Sequence, residues 1–329
     1  MNILIPLATV AGLFLLGWLG AEQGMGWGFG VALPYLAAVL FLGGLAWRIL
    51  SWAKVPVPFR IPTTCGQQKS LDWIKQEKTE NPDSTSEVIG RMALEILFFR
   101  SLLRNTKSEV ANGSKIVYGI DLWLWVAALA FHWSLLIIVI RHIRIFAVPV
   151  PAFVTFLQKV EGFHRFGEPV FYVTSLVFLA ALSYLLIRRL LFDQVRYISL
   201  IGDYFPLYLL LGIGASGFWL RHLDRTGIAD VKELAVGLVT FNPVVPATIS
   251  PLFFGHLFLV CVLLAYFPFS KLTHAPGVFL SPTRNLANSN RRIRYVNPWD
   301  YPVKVHTYEE YEDELRDKMK AAGVPVERG

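Results

Sequence analysis

LWLWVAALAFHWSLLIIVI, Leu122–Ile140, runs for nineteen residues without Asp, Glu, Lys or Arg and carries a histidine at its middle. About 20 helical residues cross a hydrocarbon core of about 30 Å. In lipid a segment must satisfy its own backbone amides, which selects helix over strand. Five further stretches read the same way: Met1–Ala21, Trp27–Trp47, Pro169–Ile187, Tyr204–Leu220 and the later part of Leu234–Ser270. The expectation is an all-α integral membrane protein, a six-transmembrane-helix bundle with a cytoplasmic loop and a C-terminal tail. Composition agrees, since 54% of the 329 residues are hydrophobic and only 17% charged, far from an ordinary soluble domain. Met1–Ala21 has no basic residue ahead of its apolar run and no small-residue cleavage site. It reads as a retained helix and not as a removable signal.

Basic residues beside helix ends set orientation. Arg48 and Lys54 follow helix two, Arg188, Arg189 and Arg196 follow helix four, and Lys271 closes helix six. Alternating helices put all of these on one side, which is then cytoplasmic, together with both chain termini. The two long polar segments, Val55–Lys115 and His274–Gly329, fall on that side and hold nine each of the 31 Lys and Arg residues. The formal net charge of +7 follows from this bias. No stretch interleaves basic residues with exposed aromatics as a nucleic-acid surface would, so the expected surroundings are the lipid bilayer and other proteins, in a prokaryotic cytoplasmic membrane. Two cysteines, Cys65 and Cys261, are too few for a disulfide framework or an iron–sulfur cluster.

The chain divides into an N-terminal transmembrane hairpin (1–54), a cytoplasmic loop (55–117), a four-helix bundle (118–276) and a cytoplasmic partner-binding tail (277–329). Within the loop, Ser86–Lys107 places Ile89, Met92, Ala93, Ile96, Phe99 and Leu103 on one stripe, with Glu87, Arg91 and Glu95 facing away. That spacing predicts an amphipathic helix lying on the membrane or against a partner, or, since Arg100 interrupts the stripe and Leu94, Phe98 and Leu102 put apolar surface on the other side, a helix buried within a small soluble insert. Thr226–Ile249, with Pro243 and Pro246, reads as an irregular outer loop. The charged tail reads as disordered or folded onto a partner.

An ionisable residue inside a membrane segment is costly and is a functional candidate by default. His132 lies mid-way along helix three and His142 ten residues later, while His256 and His274 flank helix six eighteen residues apart. In a straight helix, ten residues span about 15 Å and eighteen span about 27 Å. Helices three and six run antiparallel, so His142 pairs with His256 on the outer side and His132 with His274 on the inner side. A straight helix six leaves a mismatch of about 12 Å, to be taken up by tilt and by the chain beyond Pro268. Two imidazoles on facing helices are what a six-coordinate haem b needs. The four histidines are therefore candidate axial ligands to the iron of two non-covalent haems b, there being no Cys-x-x-Cys-His to attach haem covalently. Lys159 and His164, in the loop after His142, are candidates to bind an exchangeable quinone beside the outer haem, where a donor and a proton acceptor are needed.

GHLFLVCVLLAYFPFSKLTH, Gly255–His274, resembles the last helix of the respiratory nitrate reductase gamma subunit family, in which a histidine, seventeen residues and a second histidine follow one another with Pro-Phe-Ser before the second. His132 and His142 match that family's other ligand helix in spacing and order. FRIPTTCGQQKSLDWI at Phe59–Ile74, IGRMALEILFFRSLLRNTK at Ile89–Lys107 and RNLANSNRRIRYVNPW at Arg284–Trp299 are similar to one branch, the membrane haem b subunits of the DsrMKJOP complex associated with dissimilatory sulfite reduction. The resemblance implies a bis-histidine dihaem subunit that exchanges electrons between menaquinone or menaquinol and a cytoplasmic iron–sulfur subunit related to heterodisulfide reductase, beside other membrane and extracytoplasmic subunits. Three alternatives stay open. The same chemistry could serve a nitrate or heterodisulfide reductase. A haem-free membrane anchor would be colourless, and a transporter would need midplane charges or unwound helices.

Overall fold

The computed structural model describes residues 3–55, 66–104, 106–111, 113, 115–162, 170–224, 226–281, 283–293 and 305–327. Its helices are α1 (Leu4–Gly20), α2 (Leu33–Ala53), α3 (Thr85–Phe98), α4 (Leu122–Phe146), α5 (Ala152–Glu161), α6 (Val173–Leu191), α7 (Asp193–Ile198), α8 (Ile201–Trp219), α9 (Ile228–Val239), α10 (Pro251–Tyr266), α11 (His274–Leu280) and α12 (Tyr308–Ala321). One antiparallel hairpin, β1 (Lys107–Ala111) with β2 (Lys115–Gly119), pairs Lys107 with Gly119 and interrupts the expected all-helical pattern.

Five helical segments among the described residues are long and apolar enough to cross a membrane: Leu4–Met25, Gly28–Ala53, Leu122–Phe146, Val173–Leu191 and Pro251–Phe269. The remaining expected span lies in α8, where Asp203 and the helix-interior Pro206 dilute the apolar run. Helix α8 packs against α1, α6 and α10. Tyr204, Tyr208 and Leu209 of α8 meet Val10 of α1 and Leu259 of α10 in one buried cluster. Leu210 joins Phe178 and Leu182 of α6 in another, against which Phe131, Leu135 and Ile138 of α4 pack.

Lipid offers no hydrophobic drive for helices to associate, so close backbone approach through small residues matters more than in water. Gly17 of α1 and Gly255 of α10 make that approach. A Cβ on Gly17 would lie 2.9 Å from the Phe254 carbonyl oxygen, and one on Gly255 would lie 2.9 Å from the Phe14 carbonyl oxygen. The crossing fixes α10 at Gly255, one residue before His256.

Helix α10 does not continue straight to His274. It ends at Tyr266, and two short 3-10 turns, Phe267–Phe269 and Lys271–Thr273, carry the chain to α11. Pro268 cannot sustain the helical ladder. The carbonyl it exposes accepts from Arg48 Nε of α2 at 3.0 Å, Gly44 leaves room for the proline ring, and Lys271 reaches Asp203 of α8 at 2.7 Å. A break this well anchored removes the straight-helix premise behind the expected mismatch of about 12 Å between the two histidine pairs.

The polar segments depart from expectation more. Helix α3 buries Arg91 and Glu95 and leaves Ile89 64% exposed, the reverse of the predicted orientation. The reason is a charged partner far along the chain, Arg284, which bonds Glu95 at 2.9 Å. Asp83 pairs with Arg292 at 2.6 Å, and the fully buried Asn81 and Asn288 bond each other at 3.1 Å. The start of the tail therefore folds onto the loop of its own chain, and its end forms α12. Between α8 and α10, the expected irregular loop contains the helix α9, whose Leu234 joins Phe29 and Phe254 in a third buried cluster.

Candidate functional site

The four candidate histidines come together in two pairs of neighbourhoods. At one end of the bundle the His132 and His274 rings lie 6.1 Å apart between centroids, with planes at 83°. At the other, His142 of α4 and His256 of α10 are electrostatic neighbours. Protein covers none of the four completely; His142 and His274 are exposed, His132 and His256 half-buried.

Each imidazole is held through the same nitrogen. His132 Nδ1 lies 2.7 Å from the Ala128 carbonyl oxygen, His142 Nδ1 2.7 Å from that of Ile138, and His274 Nδ1 2.9 Å from that of Lys271. A carbonyl only accepts, so each Nδ1 is the protonated nitrogen and each Nε2 carries the lone pair. His256 Nδ1 lies 2.9 Å from Ser216 Oγ. That hydroxyl donates to the Gly212 carbonyl at 2.7 Å and so accepts from His256, reaching the same tautomer by a relay. A metal-ligating histidine is held in this way, with its distal N–H on a backbone or side-chain acceptor. The donor set thus fits iron held between two imidazole Nε2 atoms. Among the described residues no cluster of three or more His, Cys, Asp or Glu could hold a metal ion.

Neighbouring residues shape the two ends. A Cβ on Gly217 would sit 3.1 Å from His256 Cε1, so glycine there admits the ring against α8. On the other pair, Phe99 places its ring edge-on to His132 at 4.8 Å between centroids and 85°. Phe99 ends α3 in the left-handed region, with φ 50°. The turn is pinned by Trp125 Nε1 donating to the Phe98 carbonyl at 2.7 Å and Trp133 Nε1 donating to the Leu97 carbonyl at 3.1 Å. No sequence periodicity announces this lid over His132.

Of the quinone candidates, Lys159 lies exposed on α5, and His164 falls outside the described residues, as does Cys65. His222 stacks on Phe171 at 4.2 Å with planes at 7°, and His306 is exposed.

Residues 92–295 match the nitrate reductase gamma subunit family. The chain belongs to that family. Similar to this gamma-family chain are two curated proteins described as Hdr-like menaquinol oxidoreductase cytochrome b-like subunits. The one from Archaeoglobus fulgidus is 46% identical over 279 residues, and the one from Archaeoglobus profundus 40% identical over 276. The alignments cover 83% and 82% of each chain respectively.

Proposed function

We propose that this gamma-family chain is the membrane electron-transfer subunit of a quinol-linked oxidoreductase, binding two haems b and exchanging electrons between menaquinol and a cytoplasmic iron–sulfur subunit related to heterodisulfide reductase. The carrying observation is that all four histidines commit Nδ1 to an acceptor and leave Nε2 free. Menaquinol as the donor is supported by the descriptions of the two relatives as menaquinol oxidoreductase subunits. Assignment to a sulfur-metabolism complex of the DsrMKJOP kind is the finer part of the proposal and rests on the three polar segments quoted above.

In this reading α8 is the sixth span and both termini are cytoplasmic. His142 and His256 hold the outer haem; His132 and His274 hold the inner one. When bound, haem b supplies the one-electron relay that couples a two-electron quinol to one-electron partners. The protein's part is to fix both ring orientations, to keep Nε2 available, and to cover the inner pair with Phe99. The loop and tail, joined by Glu95–Arg284 and Asp83–Arg292, form the surface that the iron–sulfur subunit meets.

A pyridine haemochrome assay on the purified protein tests this directly. Two non-covalent haems b per chain with low-spin spectra, reducible by menaquinol, are expected. Protein without haem would leave a membrane anchor as the reading.

A further inference from the structure

Arg141, which precedes His142 and is its electrostatic neighbour, forms a buried ion pair with Glu161. Glu161 ends α5 and is 8% exposed, and Arg141 of α4 is 7% exposed. Their nearest approach is Arg141 Nε to Glu161 Oε2 at 3.6 Å, too long for a hydrogen bond. Glu161 Oε2 accepts from Thr174 Oγ1 of α6, and Arg141 donates from its terminal nitrogen to Ser175 Oγ at 3.2 Å. That leaves Arg141 Nε and Glu161 Oε1 as buried polar atoms without a hydrogen-bond partner among the described residues. An unmet donor and an unmet acceptor at such depth each cost on the order of 1–3 kcal/mol, so native structures rarely keep two together without a ligand or water to join them.

The group that satisfies both atoms at once must accept one hydrogen bond and donate another, as a hydroxyl does. Access favours a lipid-borne ligand. Helix α5 turns Val154 and Glu161 inward while Phe153, Phe156 and Val160 are 54%, 65% and 67% exposed, the division of a helix lying in the membrane interface. Among the described residues, the other charged and titratable groups around the pair are Tyr172, whose ring carries the Arg141 guanidinium at 3.9 Å and that of Arg221 at 4.5 Å, His142 beside Arg141, and Lys159 on α5, which faces out.

We infer that Arg141 and Glu161 form the quinol-hydroxyl site, with Arg141 Nε donating to the hydroxyl oxygen and Glu161 Oε1 accepting its proton. This rests on the quinol reading above and replaces Lys159 as the residue that meets the reacting oxygen. In the step proposed, the quinol O–H bond breaks, its proton passes to the Glu161 carboxylate and a semiquinone is left, while a ferric haem b held by His142 and His256 would supply the one-electron acceptor. The remaining hydroxyl of the semiquinone gives its proton to Glu161 once the first proton has left to water and the ring has turned that end to the site, and the second electron follows once the first has been passed on toward the cytoplasmic partner.

The test compares the wild-type complex with Glu161→Gln, which keeps shape and loses the basic oxygen. General-base catalysis contributes about 10²–10⁴ in rate, so haem reduction by menaquinol should slow at least 100-fold, while haem content and reduction by dithionite stay as in wild type. An infrared difference spectrum between quinol-reduced and oxidised complex should show a protonated carboxyl band in wild type that is missing in the variant. If Glu161→Gln loses the outer haem, Glu161→Asp decides, with slowed quinol reduction and a retained carboxyl band expected. Wild-type rates in the variant that carries haem would mean that the pair holds only water, and would overturn the inference while leaving the quinol reading intact. Wild-type haems that dithionite reduces and menaquinol does not would overturn both.

Discussion

Ser216 accepts a hydrogen bond from His256 across 2.9 Å while sending its own proton to Gly212 of the same helix. The candidate ligand on α10 is therefore oriented from α8, whereas the other three candidate ligands are oriented by carbonyls of their own chain segment three or four residues back. Removing an outer-shell partner of a ligating histidine typically costs 10–100-fold in affinity. Ser216→Ala should lower retention of the outer haem by about that factor in a haem-transfer assay and leave the inner haem in place. Equal loss of both haems would show that Ser216 supports the bundle and not the ligand.

Gly217 gives a steric counterpart. An added Cβ meets the His256 ring at 3.1 Å, so the ring must give by a few tenths of an ångström. Gly217→Ala should shift the outer-haem absorption and potential with little loss of haem, and Gly217→Val should displace the ligand altogether. Redox titration of the two variants separates these outcomes.

How far the sequence could be read depends on the range of the interaction. His132, His142, His256 and His274 stood out because an ionisable residue in an apolar helix is a functional candidate, and their spacing suggested the pairing proposed for them. The anchored break after Tyr266 was half legible: Pro268 marks it, but Arg48, which satisfies the Pro268 carbonyl, lies in another helix. Burial of Arg91 and Glu95 was not legible, because a stripe analysis sees only one helix and the compensating Arg284 is far away in sequence. Helix α9 was hidden by the prolines that follow it, and Glu161 by its position at the end of a short interfacial helix.

The Glu95–Arg284 pair joins the loop to the tail, and Glu95 is nearly enclosed. Arg284→Ala leaves that carboxylate hydrogen-bonded, among the described residues, by the Ser101 hydroxyl and backbone N–H, with the buried Arg91 as its remaining charged neighbour. The cost is on the order of 1–3 kcal/mol, toward the low end because Arg284 itself is partly solvated. Limited proteolysis should then open the tail after Leu280, and affinity for the iron–sulfur partner should fall, with both haem spectra retained.

Asp121 caps α4 by accepting from the Leu124 N–H at 3.0 Å and binds Arg188 of α6 at 2.7 Å. Burial alone would raise its carboxyl, but the Leu124 bond and the Arg188 guanidinium outweigh that and hold it below the usual aspartate value. The unfolded chain therefore takes up the proton first as pH falls, and stability declines with falling pH through the Asp121 titration. Thermal denaturation between pH 7 and pH 3 should show wild type losing stability below about pH 4. Asp121→Asn, which retains a capping side chain but no titrating charge, should be less stable at pH 7 and show a shallower fall.

The pairing itself is open to a four-variant experiment. His132 and His274 meet at 6.1 Å, and His142 is the electrostatic neighbour of His256, so the variants should fall into two classes. A bis-imidazole site that loses one ligand loses affinity and its low-spin signature. His256→Ala and His142→Ala should each remove one and the same haem, leaving about one per chain. Menaquinol should then fail to reduce the survivor, because the hydroxyl site at Arg141 and Glu161 no longer adjoins a haem, while a soluble reductant still reduces it. His132→Ala and His274→Ala should remove the other haem, spare reduction by menaquinol, and block onward transfer to the partner. Low-temperature optical spectra and electron paramagnetic resonance of the four proteins distinguish the classes. Spectra that group His142 with His274 would contradict both the antiparallel arrangement of α4 and α10 and the two-site reading built on it.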